Sequence, residues 1–227
     1  MILVAAATPW EAEPLAKRLG LETLPGPLKG FGGKVERRLV RVLQTGMGRA
    51  NVAAALESME AERWPAPDVV VSAGFAGALQ EGVRPAELVA DLRGLPVEWL
   101  QLAQKAAADL GLPLHLGPFH SAERVLTPEE KRAAGAEKRA LAVDLETAAL
   151  RAWSETRGVA FAGVRAVFDG LDDRAPEAGP EDSSLGATLR FLGTHWKEAP
   201  KLAMLWPRQA RGMKRLGQFL SKWFATL

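Results

Sequence analysis

Ile2-Leu3-Val4-Ala5-Ala6-Ala7-Thr8-Pro9 is the stretch that decides the class of fold. Ile2 to Ala6 is a short, wholly apolar run, the pattern of a strand buried on both faces. Thr8 suits the cap of a helix, and Pro9 suits its first turn, where the missing N–H costs nothing. Trp10 to Leu19 then reads as a helix that stops at Gly20. A buried strand that runs directly into a helix is the alternation of an α/β protein.

The alternation continues outward. Pro25 to Gly33 reads as a turn-rich loop, and Val35 to Gln44 alternates apolar and basic residues like a half-exposed hairpin. Gly46-Met47-Gly48 breaks it before an Ala-rich helix from Arg49 to Glu60. Asp68 to Ser72 is a buried strand expected to end at Gly74 and Gly77, and Glu87 to Ala90 is another strand. Glu98 to Leu110 and Pro128 to Glu137 are helices, Val143 lies at a short strand end, and Leu145 to Arg157 is a helix stopped by Gly158. Phe161 to Phe168 is a strong buried strand, Gly170 to Gly186 an acidic loop, and two helices close the chain. The pattern predicts a three-layer α/β/α fold around a central mixed sheet.

The 227 residues suffice for one sizeable domain, and a hydrophobic content of 48% excludes a disordered chain. With no cysteine, disulfides, thiolate zinc sites and a cysteine nucleophile are excluded, and a cytoplasmic setting is expected. Ile2 to Ala7 lacks a basic leader and makes a poor signal peptide. His115, His120 and His195 have no metal-ligand spacing, and neither a G-x-S-x-G elbow nor a Walker A sequence is present. The net charge of +2 hides an asymmetry: residues 189–227 carry eight Lys/Arg against one Glu, a net +7, so residues 1–188 carry −5. That divides the chain into a main domain, 1–188, and a basic helical extension of it, 189–227.

In sheets of this kind ligands bind beyond the strand ends. Thr45-Gly46-Met47-Gly48 opens a helix with backbone N–H groups that an anion can approach, although a tight strand-to-helix turn has the same pattern. Ser72-Ala73-Gly74-Phe75-Ala76-Gly77 is a second small-residue turn. Val143-Asp144-Leu145-Glu146 sets two carboxylates at a strand-to-helix junction, where helix capping is the competing role. Arg165-Ala166-Val167-Phe168-Asp169 ends the most apolar strand in a carboxylate, with Arg165 placed to pair with it or with another buried acid.

Taken together these pieces resemble the purine nucleoside phosphorylase / nucleosidase superfamily. They are Glu11 in the first strand-to-helix turn, Gln44-Thr45-Gly46-Met47-Gly48, Ser72 to Leu79, Ala142 to Ala149, and Val164 to Asp169, in that family's order and spacing. The resemblance implies a nucleoside phosphorylase-like sheet and cleavage of an N-glycosidic bond by phosphorolysis or hydrolysis. Glu146 would hold the ribose hydroxyls, with Asp144, Leu145, Phe75, Ala76 and Gly77 lining the ribose and base. Asp169 would protonate the departing purine, and Glu11, or Glu13 if the register slips, would orient water. Gly46, Met47, Gly48 and Arg49 would line the phosphate or water pocket.

Such chemistry needs these types. Hydroxyl contacts that tighten in an oxocarbenium-like transition state lower the barrier, and a purine leaves poorly unless an acid shares a proton with it. No metal or organic cofactor is implied, only inorganic phosphate as a co-substrate of the phosphorylase branch, and members form homo-oligomers. Close alternatives are a methylthioadenosine/adenosylhomocysteine nucleosidase or a futalosine hydrolase; a catalytically inactive nucleoside-binding protein is the non-enzyme alternative. Phe75 replaces the family's usual Ser or Thr, and Ser121-Ala122-Glu123-Arg124 stands where nucleosidases usually offer a stacking aromatic.

From Lys201 onward Leu202, Leu205, Trp206, Ala210, Met213, Leu216, Leu220, Trp223 and Leu227 form one helical stripe, with Arg208, Arg211, Arg215 and Lys222 mainly opposite. Two readings fit: a closing helix packed on the sheet, or an interfacial helix making peripheral contact with the cytoplasmic face of a membrane through residues 201–227. The second draws on a loose likeness to the hopanoid-associated phosphorylase branch. A basic stripe without a recognisable reader module is weak ground for specific nucleic-acid binding.

Overall fold

The computed structural model describes residues 1–173 and 199–227, with side chains in the second span from residue 207 onward. β1 (Ile2–Ala6) is central in a ten-stranded mixed sheet and is buried throughout. It pairs in parallel with β4 (Arg38–Gln44) on one side and with β5 (Val69–Ala78) on the other. β10 (Ala160–Asp169) continues the parallel core beside β5. Antiparallel strands extend both flanks: β3 (Gly30–Val35) and β2 (Glu22–Thr23) beyond β4, and β6 (Leu88–Gly94) beyond β10, followed by β7 (Leu114–Leu116) parallel to β6. β8 (Phe119–Ser121) and β9 (Ala142–Asp144) form a short spur paired with the end of β5.

Side chains alternate across a strand, so β1 feeds two cores. Ile2, Val4 and Ala6 point to one side and pack with α1 (Pro9–Leu19), α3 (Val97–Asp109) and α6 (Ala199–Phe224). Leu3 and Ala5 point to the other and pack with α2 (Arg49–Ala61) and α5 (Thr147–Thr156). These are the three expected layers. Thr8 caps α1 in an extended conformation, and Gly20 ends it with φ of +68°, a left-handed position that favours glycine. α4 (Pro128–Lys138) starts with a second capping box, Thr127 with Glu130.

Three expectations need correction. Gly30 to Gly33 are part of β3 rather than loop, since β4 supplies a full antiparallel ladder for them. Gly74 and Gly77 do not end β5, which runs through both. Their lack of a side chain serves close packing instead: a Cβ on Gly77 would lie 3.1 Å from Asp169 Oδ2. β7 and β8 are three-residue strands too short to carry a periodic signal. Most of the acidic loop, the boundary at 188, His195, Trp196 and the first of the two closing helices lie outside the described residues.

α6 packs as a closing helix. Met213, Leu216, Phe219, Leu220, Trp223 and Phe224 are buried in the core beside α1, and Trp223 Nε1–H donates to the Trp99 carbonyl at 3.2 Å. Ala210, placed on the stripe by its spacing, is exposed. The basic residues anchor as well as face solvent: Arg215 donates to the Ala86 carbonyl at 2.8 Å, and Arg208 pairs with Asp173 at 2.8 Å. Among the described residues no helix is long and apolar enough to cross a membrane. With Leu216 fully buried, Leu216→Ala is expected to lower stability by about 2–5 kcal/mol in urea unfolding, as truncation of a packed leucine does.

Candidate active site

Arg165 organises the strand ends. It lies on β10 opposite Gly74 of β5, and the missing side chain there gives its guanidinium room: a Cβ on Gly74 would sit 2.7 Å from Arg165 Nη1 and 2.2 Å from Glu11 Oε1. The guanidinium is 1% exposed and is surrounded by acceptors. Nη2 donates to Asp144 Oδ2 at 2.5 Å and to Ser72 Oγ at 2.7 Å, and lies 3.6 Å from Glu146 Oε2. Burial works against its charge, but Asp144, Glu146 and Glu11 more than restore it, so its pKa is raised.

Each acid is held by its own element. Glu11 is the third residue of α1, and its Oε2 accepts from the Thr8 N–H at 2.8 Å and from the Thr8 hydroxyl at 2.9 Å. Its Oε1 accepts the Phe75 N–H at 2.7 Å, which ties α1 to β5. Glu11 is thus a capping-box residue whose carboxylate also reaches the centre of the sheet, whereas Glu13 is exposed. Asp144 ends β9, and both of its oxygens are engaged: Oδ1 by the Ser121 hydroxyl at 2.7 Å, Oδ2 by Arg165 and by the backbone and hydroxyl of Thr147. It braces the site from behind, in the capping role its position allowed.

Glu146 stands at the N-terminus of α5, and its Oε1 accepts the Gly48 N–H at 2.9 Å. That bond joins the turn before α2 to the carboxylate, so the Gly46-Met47-Gly48 segment contributes a backbone donor, while Met47 and Arg49 are exposed. Burial is the main force on Glu146 and lifts its pKa to about 7; Arg165 and Gly48 N–H oppose this, while Asp144 and Glu11 add to it.

Asp169 closes the set. The ladder between β10 and β5 slips between Val167 and Asp169, so Phe168 is an extra residue and Asp169 is re-aimed opposite Gly77. The carboxylate is 4% exposed and its pKa is raised, chiefly by burial. The Phe168 and Phe75 rings pack together with centroids 5.4 Å apart. Beside Asp169, Lys131 of α4 donates to its Oδ2 from a position 1% exposed.

The sequence-selected residues Glu11, Phe75, Gly77, Asp144, Glu146, Gly48 and Asp169 therefore lie on one linked arrangement, with Ala76 buried and Leu145 half-buried between them. Missed were Lys131, Ser72 and Thr147. Lys131 lies inside Pro128-Glu129-Glu130-Lys131-Arg132, a charged run that reads as a solvated helix, and no local signal marks it as buried. Among the described residues no group of His, Asp or Glu is arranged to hold a metal ion.

The sequence profile of the phosphorylase superfamily matches residues 1–90 and 95–189. No curated protein matches the chain in sequence. Among solved structures, the futalosine hydrolase of Helicobacter pylori strain 26695 superposes with a TM-score of 0.71 at 17% identity, covering 100% of this chain and 97% of that one. The 5′-methylthioadenosine/S-adenosylhomocysteine nucleosidase of Neisseria meningitidis, in complex with methylthio-immucillin-A, gives 0.72 at 18% identity, covering 100% and 99%. The corresponding enzyme of Campylobacter jejuni gives 0.75 at 15%, with the same coverage. At these identities the likeness is one of fold.

Two outcomes follow from the buried charges. Arg165→Met strands three carboxylates, and a loss of about 3–5 kcal/mol is expected in urea unfolding at neutral pH. Glu146 has a folded pKa above its unfolded one, so its contribution to stability is full below about 4.5 and is lost as pH rises through about 7. Glu146→Gln should therefore raise the thermal midpoint at pH 8, with the gain shrinking toward pH 5.

Proposed function

We propose that this chain, which belongs to the phosphorylase superfamily, cleaves the bond between C1′ and the base nitrogen of a purine nucleoside, with water as the nucleophile. The observation that carries the reading is a division of labour between two buried carboxyls. Glu146 is held by Arg165 and the Gly48 N–H at the end of one helix, and Asp169 sits at the end of β10 beside Gly77. A carboxylate that accepts from the ribose 2′- and 3′-hydroxyls gains as positive charge develops on the ring. Asp169, with a pKa raised by burial, gives a proton to the base as the bond electrons move onto it, so the purine leaves neutral.

Water attacks C1′ from the face opposite the base. In this reading Glu11 orients it: Oε1 spends one lone pair on the Phe75 N–H and keeps a second for a water proton. The substrates named for the neighbouring structures, futalosine, 5′-methylthioadenosine and S-adenosylhomocysteine, are the first candidates. Phosphorolysis is the second reading, favoured by the exposed Arg49 one residue beyond the Gly48 donor. We place the enzyme in the cytoplasm as a homo-oligomer, in keeping with a cysteine-free chain and with the habit of the family. The hopanoid-associated branch draws no support from α6, whose apolar face from Met213 to Phe224 lies in the core.

Base release from those three nucleosides, inosine and adenosine, with and without inorganic phosphate, tests the reading. Turnover without phosphate is expected, and Asp169→Asn or Glu146→Ala should each reduce it by about 10²-fold or more in folded protein. An ionised Glu146 is needed to accept from ribose, so kcat/KM should fall as pH drops through about 7, and Glu146→Gln should abolish that limb. Strict dependence on phosphate would establish phosphorolysis instead, and full activity in both variants would refute the site.

A further inference from the structure

Lys131 is a buried cation that the chemistry above does not use. Its Nζ donates to Asp169 Oδ2, to the Gly170 carbonyl at 2.9 Å and to the Asp173 carbonyl at 2.7 Å. Three acceptors take all three N–H bonds of an ammonium; a neutral amine has two N–H bonds and would leave one acceptor without a donor. Burying an ammonium is costly, and a helix such as α4, with an exposed side available, keeps its lysines in water unless something holds them. Here the hold is the carboxylate to which the proposed reaction assigns the proton.

We propose that Lys131 is a positioning residue for Asp169: it fixes Oδ2, turns Oδ1 toward the departing base, and sets how readily the acid gives up its proton. The inference rests on the reading of Asp169 as the acid. In the step itself Asp169 loses a proton from Oδ1 to the base nitrogen, and the C1′–N bond pair becomes the lone pair of the neutral base. The carboxylate left behind is neutralised by the Lys131 ammonium. Burial alone would favour the protonated acid and weaken it as a donor, and the neighbouring cation opposes that.

The surroundings of Asp169 bear on its titration from each side. Lys131 faces it from α4. Asp173 faces it from the segment after β10 and raises its pKa, while Arg208 of α6 pairs with Asp173 and offsets that charge. β5 presents only Gly77. Lys131 also bonds the carbonyls of Gly170 and Asp173, so it holds the exit of β10 in the same grip as the carboxylate.

The test is the titration of the Asp169 carboxyl carbon by NMR in protein labelled at aspartate carboxyls, the resonance being identified by its loss in Asp169→Asn. Lys131→Gln keeps two N–H donors and removes the charge. Its Asp169 midpoint is expected to rise by about 1–3 pH units, and the alkaline limb of kcat/KM for base release to move up with it. A merely structural lysine would lower activity without moving either midpoint, and an unmoved midpoint in folded Lys131→Gln overturns the inference. Should Lys131→Gln fail to fold, the double variant Lys131→Gln/Asp169→Asn decides. Recovery of folding when both charges are gone supports the pairing, and no recovery overturns it. Full base release by Asp169→Asn would remove the reading on which the inference rests; inactive Asp169→Asn with an unmoved midpoint would remove the inference alone.

Discussion

One guanidinium, buried in a mixed sheet between a parallel and an antiparallel neighbour, holds this cluster together. Arg165 is surrounded by Asp144, Glu146 and Glu11, which arrive from β9, the start of α5 and the first turn of α1. Bringing three carboxylates together away from water is unfavourable unless a cation is fixed among them with its hydrogen bonds used. Ser72 and Thr147 accept from Nη2 at 2.7 and 3.3 Å, while the buried Nε has no hydrogen-bond partner among the described residues. Burial is the main reason that one member, Glu146, is left with a pKa of about 7, and the neighbouring charges of Asp144 and Glu11 add to it.

The backbone makes room for the cluster. Gly74 lies where any side chain would collide with Glu11 and Arg165, and Gly77 lies against Asp169. The irregularity at Phe168 shifts β10 by one residue at its end and sets Asp169 beside that second glycine. Two glycines and one bulge thus let charged side chains sit at the end of a close-packed sheet, while the body of the same strands, Val69 to Val71 and Phe161 to Val164, remains core.

The layer order was readable from Ile2 to Pro9 and from the later strands because buried parallel strands are uniformly apolar and their helices are capped by recognisable residues. The burial of the candidate acids follows for a related reason: a carboxylate directly after such a strand, as at Asp169, or at a strand-to-helix junction, as at Glu146, is held close to the sheet by its backbone. Gly74 and Gly77 were misread as strand ends, since a glycine that ends a strand and one that yields to a neighbouring carboxylate look the same in one dimension. Lys131 was invisible for the opposite reason. Its neighbours in sequence are charged and solvated, and its burial depends on Asp169, thirty-eight positions later. Likewise the stripe on α6 was clear, but only packing against α1 shows what it covers.

Arg165 with its three acids and Lys131 with Asp169 are two ion clusters built around the same strand, β10. In the function proposed above a nucleoside bridges them, ribose on the first and base on the second. A crystal structure with a bound, non-cleavable purine nucleoside analogue measures this most directly. The ribose 2′- and 3′-oxygens should lie within hydrogen-bond distance of Glu146 and the base nitrogen within that distance of Asp169 Oδ1, with Lys131 still on Oδ2. A ribose bound away from Glu146, or a base that does not meet Asp169, would contradict it.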